Sequence, residues 1–196
     1  MIGTVIPRTA VGHKLPLALP ILNPTAGLHA NLSALALDYC ARQKLSGASI
    51  IFSAVKQLPV LPPRAYDGPV PWEPKRTLAE WVTERVLELS YTAWDLQPYA
   101  RDLGDDGPPF RWDEARRAQL RAELDAAYLH LYGLDRGEAE HVLDSFFVLR
   151  KNEERQHGEF RTRRLALAAY DAMASGEFRS PLDPPPGHGP RHQDRR

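Results

Sequence analysis

The chain has 196 residues, a formal net charge of zero at pH 7, 43% apolar and 26% charged residues, and a single cysteine, Cys40. That length buries a real core without disulfides or metal, and one cysteine excludes both a disulfide scaffold and a thiolate-rich zinc site. A strongly basic nucleic-acid binder and an acidic solvating chain are excluded as descriptions of the whole. No apolar run approaches the ~20 residues needed to span a bilayer, and the first residues lack the charged and apolar regions of a signal peptide. The expectation is a cytoplasmic protein with no membrane partner. The zero total hides an asymmetry. Residues 1–66 carry +5 and residues 67–150 carry −7, which points to an anionic partner for the first part or to an ordinary solvated face.

In chain order, Thr4-Val5-Ile6 reads as a strand ended by Pro7. Residues 11–22 are apolar but broken by Pro16 and Pro20, and Asn23-Pro24 marks a turn. Leu28, Leu32, Leu35, Ala36 and Tyr39 fall at helical spacing, predicting a helix over about 28–45 that stops at Ser46-Gly47. Ser49 to Val55 predicts a second strand. Residues 56–63 are extended because proline recurs. Residues 67–76, with Asp67-Gly68 and several prolines, read as a linker, with strand content before it and helices after it.

Thr77 and Glu80 form a capping box, opening a helix with Leu78, Trp81, Val82, Arg85 and Leu89 on one side. Pro98 suits the first turn of a short helix, and residues 105–109 form a loop. Asp113 caps a helix whose Leu120, Leu124, Ala127, Tyr128 and Leu131 make an apolar stripe, closed by Gly133. Asp135 with Glu138 opens another helix carrying Val142, Leu143 and Phe146. Residues 151–156 read as a polar loop, and a last helix runs over about 159–174. Residues 176–196 are proline-rich and polar and predict disorder. The predicted class is α+β. It comprises a small mixed β/α part (1–66), a linker (67–76), a predominantly helical part (77–175) and a disordered C-terminal tail (176–196).

Catalytic chemistry is hard to find. Phosphate, dinucleotide and S-adenosylmethionine sites need a glycine-rich turn after a strand, and the chain has no such turn. Methylation of a base amino group uses an acidic or amide residue, two prolines and an aromatic. Asp183-Pro184-Pro185-Pro186 lacks the aromatic and reads as tail composition. Asp67 with Glu73-x-Lys75 has superficial nuclease spacing but flanks three prolines, and reads as a charged linker. His13, His29, His130, His141 and His157 show no ligand spacing. Cys40 reads as a small buried hydrophobe on a helix face. No catalytic, cofactor-binding or metal-ligating residue is assigned.

One cluster carries possible chemistry. Arg42-Gln43-Lys44, with Ser46, ends a helix, and Lys56-Gln57 follow the next element. Arg and Lys serve phosphates and guanine edges, Gln can pair with adenine, and Ser holds phosphate. The competing reading is a helix C-terminus whose cations complement the macrodipole.

Four segments carry a family resemblance: 35–44 (Leu-Ala-Leu-Asp-Tyr-Cys-Ala-Arg-Gln-Lys), 52–63 (Phe-Ser-Ala-Val-Lys-Gln-Leu-Pro-Val-Leu-Pro-Pro), 87–96, and 107–114 running on into 124–128. In this order they resemble the C-terminal region of large adenine-specific DNA methyltransferases of restriction–modification and phage-defence systems, including type IIG-like enzymes. The likeness covers about residues 1–175. It implies a target-recognition part followed by a helical part, with the methyltransferase core preceding both. Arg42, Gln43, Lys44, Lys56 and Gln57 follow the family pattern. The turn between them departs from it: members tend to carry Gly-Gly-Thr-His-Leu-Asn, where this chain has residues 45–51, Leu-Ser-Gly-Ala-Ser-Ile-Ile.

The expectation is a C-terminal fragment of such an enzyme, from a truncated or split gene, contributing DNA target recognition and not catalytic by itself. S-adenosylmethionine belongs to the missing core, so no cofactor is expected in this chain. The expected partners are DNA, bound weakly or only with the core, and a methyltransferase core polypeptide. The acidic helices are expected to pack beside the recognition part, because phosphates repel them. The alternative is a helical protein-interaction module or orphan remnant without DNA binding, anchored by exposed Trp72, Trp94 and Trp112.

Overall fold

The computed structural model describes residues 3–7, 9, 11–12, 17–20, 25–44, 52–176 and 178–193. The predicted caps form as read. Thr77 Oγ1 accepts from Glu80 N while Glu80 Oε2 accepts from Thr77 N, starting α4 (Leu78–Ser90). Asp135 and Glu138 do the same for α7 (Arg136–Asp144), and Asp113 caps α6 (Glu114–Leu131). Pro98 sits in the first turn of α5 (Gln97–Asp102). Each cap satisfies amide groups that a helix start leaves without partners. Gly133, at φ +72°, takes the left-handed position that ends α6.

The α+β, mostly helical class holds, but the strands lie elsewhere than expected. Residues 3–7 form no ladder. Phe52–Val55 is a helical turn, α3, not a strand. Among the described residues it meets no neighbouring strand, and strand preference is realised only through such pairing. The sheet is instead a hairpin within the expected linker: β1 (Pro69–Val70) pairs antiparallel with β2 (Glu73–Thr77). Each strand of a two-stranded sheet has one side without a partner, and edge strands of this kind are where proline is tolerated. Val70 and Trp72 are buried, and Trp72 meets Trp81 edge-on at 5.4 Å between centroids. One apolar core therefore runs from Ala26 through the hairpin to Phe178.

The single helix expected over 28–45 is two, α1 (Thr25–Ser33) and α2 (Leu35–Lys44). The expected loop at 151–156 is helical, within α8 (Phe147–His157), which ends at Gly158 with φ +74°. α8 contributes little to the core beyond the buried Glu153 and half-buried Leu149, which explains its weak apolar signature. The last helix, α9 (Arg161–Ala174), appears where expected. α6 packs most extensively on α9, and α1 on α4.

From Ala122 to Leu129 every residue of α6 is buried. This stretch includes Glu123 and Asp125, whose burial demands partners. Arg85 of α4 binds Glu123 through Nε and Nη2, at 2.9 and 2.8 Å, and both side chains are fully enclosed. Arg85 also donates to the Trp81 carbonyl and stacks 3.4 Å from that indole. One turn further along α4, Glu88 pairs with Arg116 of α6. Tyr128 of α6 and Tyr66 both donate to the Gly27 carbonyl, at 3.0 and 2.9 Å. A Cβ on Gly27 would stand 2.7 Å from the Tyr66 ring, so this approach requires glycine.

The C-terminal segment is corrected most. Residues 178–193 are not free of the fold. Phe178 is buried in the core, Ser180 Oγ donates to Glu123 at 2.6 Å, and Arg116 donates to the carbonyls of Pro184 and Pro185. Gly187 N donates to Glu88 at 2.9 Å, and Arg191 pairs with Asp105. Phe110 and Arg191 form an antiparallel bridge. The segment is held through backbone carbonyls and ion pairs, which no apolar periodicity announces.

Arg116→Ala removes the Glu88 partner and the anchor of Pro184 and Pro185 together. Leaving a buried carboxylate unpaired costs roughly 3–5 kcal/mol. The expected outcome is a lower urea midpoint and early proteolytic trimming of residues 178–193; unchanged trimming would show that Arg116 does not hold the segment.

Candidate nucleic-acid interface

α2 begins because a distant side chain opens it. Ala34 N turns back to the Asn31 carbonyl, ending α1, and Leu35 N donates to Asp125 Oδ1 at 2.8 Å. Asp125 thus serves as the N-terminal acceptor of α2 from within α6, where negative character suits a helix start. Ala36, Leu37 and Ala41 are buried, and α2 packs on α6 and α7. That leaves Arg42, Gln43 and Lys44 exposed in the last turn.

The three are not equivalent. Arg42 donates through Nε and Nη2 to Asp38 Oδ2, at 3.3 and 3.1 Å, and its guanidinium lies 4.9 Å from the centre of the Phe146 ring. Its charge is already shared with a carboxylate one turn back. Among the described residues Lys44 has no carboxylate in ion-pair reach. α3 contacts α2 and brings the second half of the cluster alongside. Lys56 Nζ stands 4.7 Å above the Phe52 ring, and Gln57 Nε2 donates to the Ser53 carbonyl at 3.2 Å. Both are exposed. Ser46, the remaining member of the cluster, lies outside the described residues. The exposed cations Lys44 and Lys56 thus stand at the ends of two contacting helices.

The other singled-out residues are placed by packing. Trp72 is buried, so it is no exposed anchor. Trp94 is half-buried. Trp112 is 62% exposed, but the Arg117 guanidinium stacks 3.6 Å from its ring. Cys40 is half-buried. His130 stacks on Tyr170 at 3.9 Å while His141 meets Tyr39, so the two histidines serve separate contacts. Glu73 faces Arg76. The carbonyls of Pro184 and Pro185, from the tetrapeptide with Asp183, face Arg116. Among the described residues no group of three or more His, Cys, Asp or Glu could hold a metal ion, and no helix is long and apolar enough to cross a membrane. No family model, no curated protein and no solved structure matches this chain.

Asp125 is the positioning residue that sequence reasoning missed. Its only signal is an acid within one turn of Leu124 and Ala127 in the apolar stripe of α6. Burial pushes its carboxyl up from 3.8 to about 7; the Leu35 amide and Arg121 pull down, and Asp38 pushes up. The folded chain therefore holds a proton that the unfolded chain releases between about pH 4 and 7. Stability from this group is present below that window and is lost as pH rises through it. Asp125→Asn keeps an acceptor for Leu35 N and removes the titration. Its stability relative to wild type is expected to rise from pH 5 to pH 8 in urea titrations; a constant difference would refute a titrating Asp125.

Proposed function

We propose that this chain is the DNA target-recognition and helical part of an adenine-specific DNA methyltransferase or restriction–modification enzyme, with the catalytic core supplied outside these residues. The observation that carries the reading is the exposed pair of helix ends, Lys44 and Gln43 in the last turn of α2 and Lys56 and Gln57 in the turn that follows α3, two helices in contact. These are the residues through which the chain follows the family pattern. Among the described residues these ammonium groups meet no carboxylate, which leaves them available to phosphates, and neighbouring amides can read base edges. Arg42 plays a smaller part, since Asp38 already holds it.

The distribution of acids supports the same reading. Within residues 67–150, whose net charge is −7, the acids Glu88, Glu123 and Asp125 are buried along with the bases Arg85 and Arg116, so burial withdraws a net of one negative charge from the surface. The repulsion that an acidic middle would exert on a duplex is reduced accordingly. The core that would carry S-adenosylmethionine is a partner in this reading, on the same or a separate polypeptide.

Labelled duplex DNA titrated at stepped salt concentrations tests the proposal. Binding is expected to be weak and to fall steeply with salt, with a log–log slope near −0.9 per phosphate contacted. Lys44→Gln with Lys56→Gln should reduce that slope by about 2 on every sequence, and Arg42→Gln should change it less. Absence of binding at the lowest salt, or a slope untouched by the double variant, would sink the assignment.

A further inference from the structure

α8 presents an exposed face that the core does not use. Phe147 and Val148 are 72% and 57% exposed. Lys151 and Arg155 follow Phe147 at steps of four, which places all three on one side of the helix. Both cations are exposed, and among the described residues neither has a carboxylate within ion-pair reach. The acids of the same helix are occupied. Glu154 accepts from Arg150 at 2.7 Å, and Glu153 is buried, accepting from Thr162 N and Oγ1 at 2.8 and 2.6 Å. Asp144, at the end of α7, accepts from Arg163 at 2.9 Å. What α8 offers to solvent is therefore an apolar pair followed by two uncompensated positive charges.

The N-terminal end of α8 lies near the end of α2. Arg42 lies over Phe146, the residue immediately before Phe147, and Tyr39 of α2 meets His141 of α7. Residues more than 100 positions apart in sequence thus bring the end of α2 and the start of α8 close together. We propose that the start of α8 continues the DNA-binding surface of α2 and α3. In this surface Lys151 and Arg155 hold phosphates beyond those taken by Lys44 and Lys56, and Phe147 and Val148 rest on apolar sugar and base edges. The inference depends on the DNA reading. Charge selects the occupant: unpaired cations with an apolar flank suit a polyanion whose bases and sugars also offer apolar surface. An uncharged or basic protein partner would leave Lys151 and Arg155 without counter-charges.

The test compares three variants of the full chain with wild type on the same labelled duplex across the salt series, with thermal melting to verify that each is folded. Lys151→Gln with Arg155→Gln is expected to reduce the salt slope by about 2. Phe147→Ser with Val148→Ser, on the helix surface, is expected to weaken binding without changing the slope, because no charge is removed. The Lys44→Gln and Lys56→Gln variant is the reference for the underlying reading. If it loses affinity while the α8 cation variant binds like wild type, the inference falls and the DNA reading stands. If the α8 cation variant alone loses slope, the inference holds and the α2–α3 ends leave the site. If wild type binds no DNA, both fall. If the Phe147 and Val148 variant keeps full DNA affinity but loses a self-association seen in wild type by sedimentation, the apolar pair belongs to a second copy of the chain, and its role on DNA is overturned.

Discussion

The fold depends on burying a helix that is not apolar all round. α6 is enclosed from Ala122 to Leu129, so each polar side chain pointing from it must find a partner or be lost to desolvation. Glu123 takes Arg85 and Ser180, Asp125 takes the first amide of α2, and Tyr128 takes the Gly27 carbonyl. Arg116, two turns before Glu123, takes Glu88 and two proline carbonyls. Four residues of one helix thus fix the positions of α1, α2, α4 and the C-terminal segment. Buried ion pairs are weak sources of net stability, yet breaking one is costly. Their consequence here is a single arrangement of neighbours around α6.

The C-terminal segment shows how a proline-rich stretch can be ordered without an apolar stripe. Proline has no amide hydrogen, so a run such as Pro184-Pro185-Pro186 offers carbonyls without a matching need for acceptors. A guanidinium has five donors and no acceptor. Arg116 divides its donors between a carboxylate and two such carbonyls, a complementarity of donor and acceptor counts. The segment then closes over α4 and α6 by a backbone bridge at Phe110 and Arg191.

Local chemistry was legible in the sequence and distant chemistry was not. The caps at Thr77, Asp113 and Asp135 involve residues three apart, and the stripe of α6 repeats every turn, so both can be read from spacing. The strand expected at 49–55 needed a partner strand, which no local window contains. Residues 67–76 were read as a linker because their prolines and charges dominate, while Val70 and Trp72 carry the burial. The break between α1 and α2 is set at Ala34 by Asp125, ninety residues away from Leu35. For the candidate site, the helix end at Arg42 to Lys44 was readable, and so were the cations after Phe52. That Arg42 is tied to Asp38 was visible in its spacing of four; that Phe146 lies beneath it was not.

The same enclosure bears on surface charge. Among the described residues, four carboxyl side chains (Glu88, Glu123, Asp125 and Glu153) and two guanidinium groups (Arg85 and Arg116) are buried. Among the described residues, burial therefore withdraws two more acids than bases from direct contact with solvent. Asp125, lifted by burial to about 7, carries only part of a negative charge near neutrality. The cations of the surface are not equivalent. Arg121, Arg136, Arg150, Arg163 and Arg164 each meet a carboxylate on the helical surface, whereas Lys44 and Lys56 stand at the ends of α2 and α3, and Lys151 and Arg155 on α8. A cation already paired with a carboxylate neutralises a phosphate less readily, whereas an unpaired one displaces a counter-ion condensed on the nucleic acid. A zero total thus coexists with exposed cations at the ends of α2 and α3 and along α8 that meet no carboxylate among the described residues.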